Sequence, residues 1–222
     1  MFRAMVVKEW RETRGIALAA LAAYAYLVAS RIHPRLPLGA GEQQYLVVPF
    51  VQDVFVVFFG SIAVLMAVAL GLRQTLGESL RGTYPFLLHR PASRRWLLGV
   101  KLLVGLGLYA VLGAAAIVAY GLWAATPGTH ASPFLWSMTV PTWSFLFFAT
   151  LVYLSAFLTG LRPGRWYRSR LLPFLAIVPI MYGATAAVFG LGATLWPNLS
   201  VLLADAWFIA VILFVGRTRD YS

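Results

Sequence analysis

Cysteine is absent from the 222 residues. That excludes disulfides, thiolate metal sites and cysteine nucleophiles, and it leaves the compartment open. Acidic residues are scarce: seven Asp and Glu stand against 18 Lys and Arg. Charged residues of both signs make up 11% of the chain, where an average soluble domain carries about 25%. Histidine occurs only at positions 33, 89 and 130, with no H-x-x-x-H or H-E-x-x-H spacing to put two rings on one helix face. No G-x-x-x-x-G-K-[ST] is present, so the chain has no phosphate-cradling loop. No Ser, His and acid set is suggested by spacing. These absences speak against an enzyme complete in itself: no catalytic residue, no metal ligand set and no cofactor is assigned to this chain.

What the chain has in abundance is apolar sequence. It is 61% hydrophobic with a mean hydropathy of +0.80, which a soluble fold would have to expose in large patches. The runs are long and do not alternate, so they suit helices rather than barrel strands. The expected class is an all-α integral membrane protein, a single transmembrane domain over 1–222 with no soluble domain. Six spans are expected at about 15–32, 47–72, 97–124, 138–161, 171–195 and 200–216. Met1 to Arg14 precedes the first span and carries Phe2, Met5, Val6 and Trp10 on one side of a helix, with Glu9 among them. This spacing predicts an interfacial helix lying on the membrane, with a disordered tail as the alternative. The first span is too long for a signal-peptide h-region and is expected to stay uncleaved.

Charge sets the topology. Sixteen of the Lys and Arg residues fall at the N-terminus, between spans two and three, between spans four and five, and in the tail; Arg31 and Arg35 alone fall on the other side. Positive residues collect on the cytoplasmic side, so both termini are expected inside. The same count accounts for the net charge of +11 without nucleic acid. His33 and His130 then lie on the outer side and His89 inside, so the three cannot share a metal.

Two carboxylates interrupt apolar runs. Asp53 and Asp205 lie near the expected starts of the second and sixth spans, both toward the outer leaflet. A carboxylate at a helix centre costs about 2.5–3.5 kcal/mol on insertion scales. They are candidates for a substrate or ion path; the bland alternative is an interfacial position or a polar partner such as Gln52. Gly183 with Ala187, and Ala186 with Gly190, have small-xxx-small spacing in the fifth span, as helix packing requires. Trp10, Trp96, Trp166 and Trp196 sit at expected span ends, as an aromatic belt does.

The longest polar interruption runs from Arg73 to Trp96. Gly82 ends whatever continues from the second span. Pro85 suits the first turn of a new short helix, Phe86, Leu87 and Leu88 give it an apolar face, and Pro91 stops it. Ser93 can cap the third span, with Arg94 and Arg95 beside it. The bland reading is a basic loop held to anionic lipid.

Here the residues resemble a family. Permease subunits of ABC transporters of the ABC-2 type carry, after their second span, E-x-x-x-G-T, a short apolar run, P-x-S-R, and a Lys near the start of the third span. This chain has Glu78, Gly82, Thr83, Phe86, Leu87, Leu88, Pro91, Ser93, Arg94 and Lys101 in that order. Lys8 and Glu9 with Arg11 and Arg14 resemble the family's opening elbow helix. The chain departs from the pattern in its short connection before the sixth span, where many members have longer re-entrant helices.

The resemblance implies an exporter permease in a bacterial inner (plasma) membrane, pairing with a second permease chain as a homodimer. It also implies cytoplasmic ATPase subunits that supply ATP and Mg chemistry. A coupling helix over about Thr83 to Arg90 would seat Phe86, Leu87 and Leu88 in the ATPase, with Arg81, Arg90 and Arg94 on its rim. Two other classes stay open at this point. One is an autonomous secondary transporter or channel using Asp53 and Asp205. The other is a membrane scaffold that passes ATPase motion to a partner protein.

Overall fold

The computed structural model describes residues 2–33, 47–80, 93–130, 133–162 and 170–218. Within them the chain forms six long helices and no strand: α1 (Phe2–Ile32), α2 (Phe55–Leu80), α3 (Arg94–Ala124), α4 (Val140–Leu161), α5 (Leu172–Leu191) and α6 (Leu195–Thr218). A short 3-10 turn, Trp136–Thr139, leads into α4. All six helices contain stretches long and apolar enough to cross a membrane.

The bundle is built around α4. Every residue from Leu151 to Leu161 is buried, so this half of the helix is enclosed on all sides, as an all-round apolar helix must be. It lies against α2, α5 and α6, while α1 packs on α2 and α3. The α2–α4 interface is the tightest. A Cβ added at Gly71 would stand 2.6 Å from the Tyr153 carbonyl and 2.8 Å from the Phe157 nitrogen. One added at Gly160 would collide with the Thr75 side chain. Glycine on each helix therefore sets their separation, because any larger residue would push backbone from backbone.

Element boundaries differ from expectation in three places. Residues 2–32 form one unbroken helix, not an interfacial helix followed by a span. Gly15 does not break it: a lone glycine costs about 1 kcal/mol against alanine in a helix interior. The N-terminal half is held by packing, since Met5 is buried with Leu97 and Val100 of α3.

The second difference is at α2, which starts at Phe55 rather than Val47. Residues 47–54 form turns around Pro49, and Phe50 takes a left-handed conformation with φ 65°. A side-chain-bearing residue pays for that conformation. Here the Phe50 ring is buried against Phe55, Tyr120 and Phe134, with centroids 5.3, 4.8 and 6.1 Å away.

The third is between α5 and α6. Gly192, at φ 66°, ends α5 in a left-handed cap, the conformation glycine supplies most readily. Residues 196–199, expected as a connection, instead form the first turns of α6. Pro197 is tolerated there because the first N–H groups of a helix have no intrahelical partner.

Candidate functional site

The polar side chains inside the bundle gather at three levels. At the end where α1 and α3 begin and α2 and α4 finish, Glu9 is wholly buried. Lys101 Nζ donates to Glu9 Oε1 at 2.7 Å and to the Gln74 carbonyl at 3.3 Å. The Gln74 amide donates to the Lys101 carbonyl at 2.9 Å and reaches Glu9 Oε2 at 3.5 Å. Tyr153 completes the set by donating to Gln74 Oε1 at 2.6 Å. Four helices are joined here. Gly105 makes room for the junction, since a Cβ there would meet both the Tyr153 hydroxyl and Gln74 Oε1. A buried pair of this kind needs its remaining donors and acceptors satisfied to offset desolvation, and Gln74 does this for both charges.

At the opposite end, Arg31 Nη1 donates to Asp53 Oδ1 at 2.9 Å. The Tyr120 hydroxyl donates to Asp53 Oδ2 at 2.5 Å. The Phe55 amide also donates to Asp53 Oδ1, at 3.2 Å, so the carboxylate steadies the first turn of α2 in the manner of an Asx turn. Asp53 therefore precedes α2 rather than lying inside a span. Its partners come from α1 and α3, not from Gln52.

The third level is Asp205, the eleventh residue of α6, about 15 Å along the helix at 1.5 Å per residue. It lies at mid-helix rather than near one face, and not at the depth of Asp53. Asp205 is buried at 8% exposure. Its Oδ2 is 2.6 Å from Thr150 Oγ1 on α4, and its Oδ1 has no hydrogen-bond partner among the described residues. Toward the α6 start on the same seam, Asn198 Nδ2 reaches Ser144 Oγ at 3.4 Å.

Of the ATPase-coupling residues, Gly82, Thr83, Phe86, Leu87, Leu88, Arg90 and Pro91 lie outside the described residues, as do the side chains of Glu78 and Arg94. Ser93 caps α3, its hydroxyl accepting the Trp96 N–H at 3.4 Å. Among the described residues no three His, Asp or Glu side chains come together as a metal site. An apolar groove of about 640 Å³ opens between α2, α4 and α5, lined by Val57, Gly60, Phe145 and Phe189 among others. It suits a hydrocarbon chain and offers little to select a polar one.

Glu9, Gln74, Lys101, Tyr153, Arg31 and Tyr120 were not singled out as a site by sequence reasoning. A signal existed for two of them. Glu9 falls on the apolar side of its helix, and Lys101 interrupts an apolar run two turns from the start of α3, whereas Gln74 is one polar residue among several in the Arg73–Trp96 stretch. Tyr153 and Tyr120 carry no such mark, because tyrosine is ordinary in an apolar helix.

No family model, curated protein sequence or solved structure matches this chain.

Proposed function

We propose that the chain is the membrane-spanning permease subunit of an ABC transporter of the ABC-2 type, an exporter that works with a separate cytoplasmic ATPase and a second permease chain. One observation carries this reading furthest. The two stretches that resemble the family are 92 residues apart, and they meet in space through the 2.7 Å Lys101–Glu9 contact. Lys8 and Glu9 belong to the stretch whose residues resemble the family's opening, here the N-terminal part of the unbroken α1, and Lys101 belongs to the motif that follows the second span. α2 ends and α3 begins at this end. A push on a coupling helix over Thr83 to Arg90 would reach four helices through one buried junction. Nothing in that transfer requires a nucleotide site in this chain, which matches a division of labour between permease and ATPase.

The experiment is replacement of Phe86, Leu87 and Leu88 by Asp in the full chain, expressed in membranes with its candidate ATPase. Loss of ATPase association with intact membrane insertion is expected. Undiminished co-purification of the ATPase with the triple variant would rule out the coupling-helix assignment. Transport in liposomes by the wild-type pair, or its absence, separates an exporter from a scaffold that only transmits motion.

A further inference from the structure

Asp205 has a proton-counting problem that its neighbours settle. Thr150 Oγ1 lies 2.6 Å from the Phe147 carbonyl and 2.6 Å from Asp205 Oδ2. A threonine hydroxyl has one hydrogen to donate and two lone pairs to accept with. A carbonyl can only accept, so only one of these two short contacts can take the Thr150 hydrogen. If Thr150 donates to Phe147, an ionised Asp205 would face a hydroxyl lone pair at 2.6 Å with no hydrogen between. If it donates to Asp205, the Phe147 contact is left without one. Both contacts are hydrogen bonds only when Asp205 brings a hydrogen of its own.

The surroundings agree. The helices packed against α6 are α3, α4 and α5. α4 and α5 contain no Asp, Glu, Lys, Arg or His, and the charged residues of α3 are Arg94, Arg95 and Lys101, all in its first third. Of the tyrosines on these helices, Tyr109 donates to the Leu146 carbonyl, Tyr120 to Asp53 and Tyr153 to Gln74, while Tyr182 is exposed. On α6 the one other charged residue is Arg217, twelve positions away. Among the described residues no cation forms an ion pair with Asp205.

We propose that Asp205 is a proton-binding site inside the bundle, its carboxyl neutral when the Thr150 contacts are made. The hydrogens run Asp205 Oδ2–H to Thr150 Oγ1, and Thr150 Oγ1–H to the Phe147 carbonyl. Binding forms one O–H bond on Asp205 with a proton taken from water. Release returns that proton to water and leaves a carboxylate facing a hydroxyl that must swing away from Phe147 to meet it. Loss of the proton therefore moves the Thr150 hydrogen from the Phe147 carbonyl within α4 to the Asp205 carboxylate across the α4–α6 seam, and leaves a buried negative charge there. This site does not depend on whether an ATPase partners the chain.

The test uses full-length protein in lipid nanodiscs, labelled with carbon-13 at the aspartate carboxyls and read by infrared and NMR spectroscopy at neutral pH. The chain has three aspartates, at 53, 205 and 220. One protonated carboxyl is expected, absent from Asp205→Asn, and hydrogen-bonded in the wild type but not in Thr150→Val. Three ionised aspartates would overturn the proposal, as would an acid signal that survives in Asp205→Asn. An acid signal unaltered by Thr150→Val would overturn the proton's placement on Thr150. The wild-type spectrum reads the charge state directly, so the proposal stays exposed to refutation even if a variant fails to insert.

Discussion

Glu9 and Arg31 lie on the same buried face of α1, 22 residues apart, and each is closed by an ion pair with a different helix end. At 1.5 Å per residue the two pairs stand about 33 Å apart along the helix, close to the roughly 30 Å thickness of a bilayer's hydrocarbon core. The pairs thus bracket the apolar length of α1. Lys101 fixes one end of α1 to α3, and Asp53 fixes the other to the start of α2. Sliding or rotating α1 would strip partners from two buried charges at once, so the pairs hold its register against the bundle.

The Glu9 junction gives the first prediction. Lys101→Met leaves Glu9 charged and buried without its main partner, and breaking a buried pair on one side costs about 3–5 kcal/mol. Glu9→Gln is expected to destabilise comparably. Combining Glu9→Gln with Lys101→Met removes both charges and should recover a large part of the loss. Denaturant midpoints of the two single variants and the double variant close a double-mutant cycle. Strictly additive losses would mean that the pair is not coupled.

A second prediction concerns Tyr120. Its hydroxyl satisfies Asp53 Oδ2 at 2.5 Å, and leaving a buried acceptor unpaired costs about 1–3 kcal/mol. Tyr120→Phe keeps the ring contacts with Phe50 and Phe55 and should show that loss alone. Phe50→Ala removes the ring that holds the 47–54 turn and should cost more, about 3–5 kcal/mol, as for other buried Phe truncations. Thermal unfolding in detergent ranks the two. A larger effect for Tyr120→Phe would show that the polar contact, rather than the aromatic cluster, fixes this end.

Six apolar segments were readable because hydropathy over about twenty residues needs no tertiary knowledge. Ser93 was readable as a cap because capping is local. The polar junctions were not, since Glu9 and Lys101 are joined across 92 positions and one chain carries no sign of that pairing. Burial was equally hidden. α4 is enclosed, whereas α5 exposes Leu175, Val178, Tyr182 and Leu191, yet both are apolar throughout. In a membrane, lipid-facing and protein-facing residues are alike in hydropathy, and close packing depends on small residues. Gly71 and Gly160 decide the α2–α4 contact for that reason. Likewise, Asp53 and Asp205 were both expected toward the outer leaflet near span starts only because the starts of α2 and α6 were each misplaced by several residues.

Close approach of α2 and α4 is open to a direct test. Gly160→Val places branched carbons where Thr75 already sits, and Gly71→Val meets the Tyr153 carbonyl. Overpacking a tight interior costs about 1–3 kcal/mol or more, and backbone neighbours cannot rotate out of the way as a side chain can. Gly15→Val meets nothing within 4 Å and serves as the matched control for helix propensity. Stability should fall sharply in the first two and stay nearly unchanged in the third. Equal losses in all three would place the effect in the helices themselves rather than between them.

The absence of cysteine makes the charge-based topology measurable without removing any native residue. Arg11 and Thr126 are both exposed, near opposite ends of the bundle: Arg11 lies toward the start of α1 and Thr126 just past the end of α3. Single Arg11→Cys and Thr126→Cys variants can be treated in intact cells with a membrane-impermeant thiol reagent. The positive-inside rule predicts that the Arg11 end faces the cytoplasm. Thr126→Cys should therefore react from outside, and Arg11→Cys only after the membrane is opened. The reverse pattern would put the α2–α3 connection outside the cell, beyond the reach of a cytoplasmic ATPase, and would end the permease reading together with the orientation. Labelling of both from one side would mean that α1 to α3 do not cross the membrane as three successive spans.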